Sequence, residues 1–292
     1  MESTNEILSK LEILRAQKST KTGSGETNTE ELFYDAEAIV KQQCEVDNAI
    51  PGNLPYYDCK VCLNRGVVFK AKYNEESRYW EEIAVRCRCR DIRDQIFRLK
   101  KSGLKNLTEK KFTNFTTFEN WQKYIYSSAR DYSKNPQGWF YIGGQPGCGK
   151  THICSAIVNY LMDSGRAAHY MLWEPTITNL KQNATEGAAY NAIMDVLIKC
   201  EVLYIDDFFK KQDGGLSASD VGTTFKIINY RYIEQLPTII SSELSISDII
   251  QIDEALGSRI SEMTDKESVI YIAKDKTKNQ RLRNQRLRQR HH

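Results

Sequence analysis

The run Gly144-Gln145-Pro146-Gly147-Cys148-Gly149-Lys150-Thr151 constrains this chain more than any other stretch. It satisfies, at every specified position, the phosphate-loop pattern of Gly, four variable residues and Gly-Lys-Thr. Trp139-Phe140-Tyr141-Ile142 before it reads as a buried strand, and Ile153, Ala156, Ile157 and Tyr160 after it recur at helical spacing. The loop therefore lies between a strand end and a helix start. Gly144, Gly147 and Gly149 let backbone N–H groups turn towards an anion, with Pro146 and Cys148 between them. The helix N-terminus adds partial positive charge. In this pattern Lys150 reaches the β- and γ-phosphates and the Thr151 hydroxyl holds Mg²⁺. The chain is expected to bind ATP.

Hydrolysis needs a second carboxylate on the metal side. Val202-Leu203-Tyr204-Ile205-Asp206-Asp207 supplies an apolar strand ending in two acids. Asp206 is expected in the Mg²⁺ shell, and Asp207 to orient or deprotonate the attacking water. An Asp pair that merely caps the next segment is the bland alternative. Lying on a second apolar strand downstream of a phosphate loop favours the metal-side role. Asp207 is one methylene shorter than the Glu many such ATPases carry, so slow basal turnover is expected.

At 292 residues and 40% hydrophobic content the chain can pack one nucleotide-binding domain and something smaller. A net charge of +3 is too small to identify a nucleic-acid binder. No apolar run approaches the roughly 20 residues a bilayer crossing needs. Met1-Glu2-Ser3-Thr4-Asn5-Glu6 lacks the basic start of a signal peptide, so the cytoplasm is expected and no membrane partner. The 8 cysteines then need an explanation without disulfides. Cys59-Lys60-Val61-Cys62 and Cys87-Arg88-Cys89 form C-x-x-C and C-x-C pairs whose four thiolates suit tetrahedral Zn²⁺. Free thiols or an iron–sulfur site are the alternatives. Between the pairs, Val67 to Lys70 and Trp80 to Val85 read as a hairpin turning at Tyr73 to Glu76. Cys44 is a poorer candidate ligand; Cys148, Cys154 and Cys200 read as small buried residues.

Four regions are expected: a helical N-terminal docking region over 1–50, a zinc module and linker helix over 51–104, an α/β domain over 105–274, and a basic tail over 275–292. Ile7, Leu8, Leu11 and Leu14 mark a first helix. A break from Ser19 to Gly25 and a second helix from Glu30 to Gln43 follow. Asp91 to Lys101 reads as the linker helix. The α/β domain alternates strands near Phe140, at Ala168–Trp173, Val202–Asp206, Thr238–Ser242 and Val269–Ala273. Helices are expected at Lys150–Met162, Ala188–Lys199, Ser219–Gln235 and Asp253–Met263. The tail, rich in Lys and Arg, reads as disordered or helical only when bound.

Zinc knuckle, phosphate loop and Asp206-Asp207 strand end occur in the order seen in helicase loaders of the DnaC/DnaI type. Ile228-Asn229-Tyr230-Arg231-Tyr232, Leu236 to Glu243 and Leu256-Gly257-Ser258-Arg259-Ile260 resemble that family's loader-specific helix, sensor-one strand and arginine-finger helix. The resemblance runs from about residue 55 to 273. It implies an AAA+ ATPase, a parallel-sheet P-loop domain, delivering a hexameric replicative DNA helicase onto single-stranded DNA. It also implies self-association through the ATPase domains. Arg259 is then the finger for a neighbouring subunit, with Arg231 a weaker candidate for a similar contact.

Two features depart from the family. Its sensor-one strands commonly end in Asn, whereas this one reads Ser241-Ser242-Glu243. Either Ser242 takes the polar contact or Glu243 orients the water. No sensor-two arginine in a helical lid stands out. Trp173 is a candidate for stacking on a base, though a core role is favoured. Lys181 and Lys210-Lys211 are candidates for phosphate contact. An IstB-type transposition-regulator ATPase and a nucleotide-gated adaptor with little hydrolysis are the competing readings.

Overall fold

A computed structural model describes residues 29–101, 105–212 and 214–282. The expected first helix, the break after it and the tail from residue 283 lie outside the described residues. The chain divides into two compact units between Arg90 and Asp91.

In the first unit, α1 (Thr29–Asn48) packs on an antiparallel hairpin of β1 (Val67–Asn74) and β2 (Tyr79–Arg86). Both strands run further than the sequence suggests, and the turn falls later. The Asn74 side-chain oxygen accepts from the N–H groups of Glu76 and Ser77, which closes the turn locally. The Asn48 amide fastens the end of α1, donating to the Phe69 carbonyl at 2.9 Å and accepting from its N–H at 2.8 Å. Cys44 is buried on α1 beside Glu82. Among the described residues, the second expected helix thus packs on the hairpin.

The helix α2 (Cys89–Lys101) spans the division. Beyond it, α3 (Asn120–Lys134) precedes a five-stranded parallel sheet of order β4-β5-β6-β3-β7. The strands are β3 (Trp139–Gly144), β4 (Ala168–Leu172), β5 (Val202–Phe208), β6 (Thr238–Ser242) and β7 (Thr264–Ile272). Between them run α4 (Lys150–Asp163), α5 (Trp173–Gln182), α6 (Gly187–Lys199), α7 (Ala218–Ile233), α8 (Ile246–Ile252) and α9 (Glu254–Met263).

β3 is buried along its whole length, as a central parallel strand should be. Successive side chains face opposite layers. Trp139 and Tyr141 join the core shared with Met171, Leu203, Ile205 and Ile240, while Phe140 meets Tyr132 of α3. Parallel strands bring all their carboxyl ends to one edge, and β3 and β6 are neighbours there.

Several boundaries differ from expectation for identifiable reasons. β4 stops at Leu172 because Trp173 opens α5 and donates its indole N–H to Thr224 Oγ1 at 3.0 Å. α3 goes unanticipated because it is largely polar and buries few apolar side chains, among them Ile125, Ala129 and Tyr132. α8 and α9 are separate helices, capped by Ser245 and Asp253 respectively.

Arg231 is fully buried on α7, which corrects its reading as an inter-subunit contact. Its Nε donates to Thr238 Oγ1 at 2.9 Å, Nη1 to the Leu197 and Cys200 carbonyls at 3.1 and 2.9 Å, and Nη2 to the Pro237 carbonyl at 2.6 Å. The guanidinium fork stitches the end of α6 to the start of β6, so it cannot reach a neighbouring subunit. Arg231→Lys keeps the charge but loses the planar fork, and is expected to cost about 2–3 kcal/mol of stability. Chemical denaturation checks this; an unchanged midpoint would contradict the stitching role.

Candidate nucleotide site and metal centre

The phosphate loop leaves β3 at Gly144 and enters α4 at Lys150. Gly147 and Gly149 take φ of 79° and 98°, a region that side chains resist. Pro146 is exposed, and Cys148 is buried with its thiol donating to the Gln145 carbonyl at 3.0 Å. Lys150 is buried beneath the loop, its Nζ donating to the Gly144 and Gln145 carbonyls at 2.7 and 2.9 Å. A cavity of about 240 Å³ opens here, lined by Lys150 and Thr151, by Asp207, Lys210 and Glu243, and by Lys110 and Arg281.

Folding brings the two expected Mg²⁺ ligands together. Thr151 Oγ1 donates to Asp206 Oδ1 at 3.1 Å. Asp206 is buried, and the same oxygen accepts from Ser241 Oγ at 2.5 Å and from the Asp207 N–H at 3.1 Å. Its other oxygen accepts from the Tyr170 hydroxyl at 3.1 Å. A hydroxyl and a carboxylate are hard oxygen donors of the kind Mg²⁺ prefers.

Asp207 sits where the register of β5 against β6 shifts, with φ of 53°. The irregularity turns its side chain out of the sheet and into the cavity. Burial and the neighbouring Asp206 raise its pKa, while Lys210 opposes the rise. Lys210 Nζ lies 2.8 Å from Glu243 and 3.5 Å from Asp207, so the two acids share one cation.

Ser242 is a correction. It is fully buried, donates to the Phe208 carbonyl at 2.8 Å and accepts from the Leu244 N–H at 3.1 Å. Both bonds turn it away from the site. Its neighbour Ser241 touches Asp206 instead, because alternate residues of a strand face opposite sides. Glu243 lies in the cavity wall.

Sequence reasoning missed Tyr170, Lys110 and Arg281, which come from segments without a motif, and it missed Ser241, which lies inside the sensor-one strand but beside the residues chosen there. It also missed the start of the tail. Residues up to Leu282 fold over the phosphate loop, where Gln280 N–H donates to the Gly147 carbonyl at 2.9 Å. Contact with the loop orders this stretch without any binding partner.

Other candidates lie elsewhere. Trp173 is fully buried, as favoured, and is unavailable for base stacking. Lys181 and Lys211 both pair with the buried Asp220, at 2.9 and 2.8 Å. Arg259 is outside the cavity, where its Nε donates to Asn229 at 3.0 Å and its guanidinium lies over Phe225 and Tyr232.

In the first unit Cys59, Cys62, Cys87 and Cys89 converge, with all four sulfurs within 4.8 Å of one another. Sγ distances of 3.8 Å for Cys59–Cys87 and 3.4 Å for Cys62–Cys89 approach the ~3.8 Å edge of a tetrahedron with Zn–S bonds of about 2.3 Å. Cys44 is not in this group. Burial alone raises the Cys62 pKa, but the Gly66 N–H and the neighbouring thiols outweigh it and bring the value down to about 7. Gly66 has φ of 79°, and a Cβ there would meet Leu54 and Arg90 at 2.6 and 2.8 Å. The tight turn that aims its N–H at sulfur therefore needs glycine. Among the described residues, no helix is long and apolar enough to cross a membrane.

The protein XkdC of the phage-like element PBSX, from Bacillus subtilis (strain 168), is 34% identical over 150 residues, covering 50% of this chain and 54% of that protein. The replicative helicase loader DnaC of Buchnera aphidicola subsp. Baizongia pistaciae (strain Bp) is 26% identical over 115 residues, 37% of this chain and 47% of that protein. This chain thus spans about half the length of either relative. A crystal structure of the DnaC helicase loader shares the fold, with a TM-score of 0.52 and 23% identity over 57% of this chain and 99% of that one. A family model described as IstB-like ATP binding protein matches residues 81–286, a span that takes in the phosphate loop, the Asp206 strand end and β6. On that match the chain belongs to the IstB-like ATP-binding protein family.

Proposed function

We propose that this chain is a Mg²⁺-dependent ATPase that loads a hexameric replicative DNA helicase onto single-stranded DNA. The observation that supports hydrolysis best is the contact of Thr151 with Asp206, beside an Asp207 turned into the same cavity. When bound, Mg²⁺ would neutralise phosphate charge between Thr151 and Asp206. Lys150 would exchange its loop carbonyls for phosphate oxygens. Asp207, its pKa raised by burial and Asp206, is suited to take a proton from water. Glu243, across Lys210, helps to orient it.

The likeness to the replicative helicase loader DnaC supports the loading role. The four-cysteine unit carries no nucleotide chemistry, is suited to one Zn²⁺, and serves helicase docking. The IstB-type reading is favoured by the description of the family model. Pull-down of the replicative helicase separates the two: capture supports the loader, and failure together with duplex-DNA remodelling supports the IstB type. ATP turnover measured with and without single-stranded DNA tests the enzyme; no turnover under either condition would leave a nucleotide-gated adaptor.

Hydrolysis is completed in trans by Arg259, which lies on α9 outside its own cavity. Arg259→Ala is expected to keep ATP affinity and lose DNA-stimulated turnover at least about tenfold, a lower bound for a finger residue. Normal turnover in this variant would leave the site complete without a neighbour.

A further inference from the structure

The fold over the phosphate loop is built from specific contacts. The Gln145 side chain grips the backbone of Asp275 from both sides: its Nε2 donates to the Asp275 carbonyl at 2.8 Å, and its Oε1 accepts from the Asp275 N–H at 2.7 Å. Asp275 in turn caps the short turn Lys276–Lys278 through the Thr277 N–H at 2.8 Å. The chain then returns to the loop, where the Gln280 N–H meets the Gly147 carbonyl at 2.9 Å. Asn279 closes on Gly147 so tightly that a Cβ there would lie 2.3 Å from Asn279 Oδ1. Gln280 and Arg281 arrive in the wall of the nucleotide cavity.

One atom in this arrangement is unsatisfied. Gln280 Nε2 is buried and has no hydrogen-bond partner among the described residues. A buried amide donor without an acceptor costs free energy, and native structures keep few of them. The backbone around Gln280 is fixed by its own N–H bond and by the Gln145 grip, so the side chain is held at the cavity rather than left to find solvent. A donor kept dry at the wall of a phosphate site suits an anionic or carbonyl oxygen of the ligand.

We propose that Gln280 is a nucleotide-binding residue, its amide donating to an oxygen of the bound ATP, and that Gln145 is the positioning residue that holds it there. The proposal rests on ATP binding and extends the site beyond the sheet, to a segment that follows β7. It explains why the second position of the loop carries a long amide. An alanine there would leave Asp275 without either bond.

Calorimetric titration of the full chain with ATP and Mg²⁺ tests it, alongside thermal melting without nucleotide. Gln280→Ala is expected to weaken ATP binding about ten- to a hundredfold, the usual worth of one hydrogen bond to a charged group. Gln280→Glu, nearly isosteric but with an anion in place of the donor, is expected to weaken it further. Without nucleotide, Gln280→Leu should melt no lower than the wild type, because its amide donor is unsatisfied there. Gln145→Ala should weaken ATP in the same direction, and adding it to Gln280→Ala should cost less than the product of the two single effects. ATP affinity in Gln280→Glu equal to the wild type would overturn the proposal, as would fully multiplicative losses in the double variant. A wild-type chain that fails to bind ATP would instead remove the reading on which it stands.

Discussion

Lys150→Ala is expected to abolish measurable ATP binding while the fold survives. Lys150 Nζ is 2.7 and 2.9 Å from two loop carbonyls, so its ammonium already lies at the centre of the loop. On the proposed binding mode those bonds would be exchanged for bonds to phosphate oxygens. Two hydrogen bonds to a charged group are worth about 3–6 kcal/mol together. At 1.4 kcal/mol per factor of ten, that is a loss of at least about a hundredfold in affinity. Stability should change less than affinity, because Lys150 itself lines a cavity that water can enter in place of the ammonium. Calorimetry reads the affinity and a thermal melt the fold. Affinity within threefold of the wild type would take Lys150 out of this role.

Removing the metal from the four-cysteine unit should unfold that unit and leave the parallel sheet standing. The fully buried hydrophobic side chains described in the first unit are Cys44, Cys59, Cys62, Cys87 and Cys89. Among the described residues almost no hydrocarbon core exists there, and a hairpin is marginal alone. Zinc held by four thiolates supplies about 10–16 kcal/mol in small zinc domains at neutral pH, far more than this unit needs. Protein purified without chelator should carry one Zn²⁺ per chain by elemental analysis. After chelation, or in Cys62→Ser, the amides of β1 and β2 should lose hydrogen-exchange protection while those of β3 to β7 keep theirs. A protected hairpin in the metal-free protein would show that the thiols alone hold it.

The sequence by itself determined the nucleotide machinery and the cysteine set. Their chemistry depends on residue types at fixed short spacings, and backbone geometry over eight residues is nearly local. Gly144 to Thr151 and the two cysteine pairs come out where the pattern puts them, and Asp206 lies on β5 as expected, although that strand runs two residues further to Phe208. Apolar runs marked part of all five strands, but not the polar, largely exposed first half of β7, where pairing with β3 rather than composition makes the strand.

Only the tertiary structure decided which side chains meet across the chain. Ser241 rather than Ser242 faces Asp206 because strand β6 aligns with β5 in one register, a choice no local pattern carries. Arg231 looks like any helical cation until α6 and β6 close around it. The residues after β7 read as a solvated basic tail, since charge and low hydropathy argue against a packed core. Gln145 folds them over the phosphate loop through two backbone hydrogen bonds to Asp275 across 130 residues. Hydrogen bonds to the main chain ask nothing of the side chain at the far end, so composition gives no sign of them.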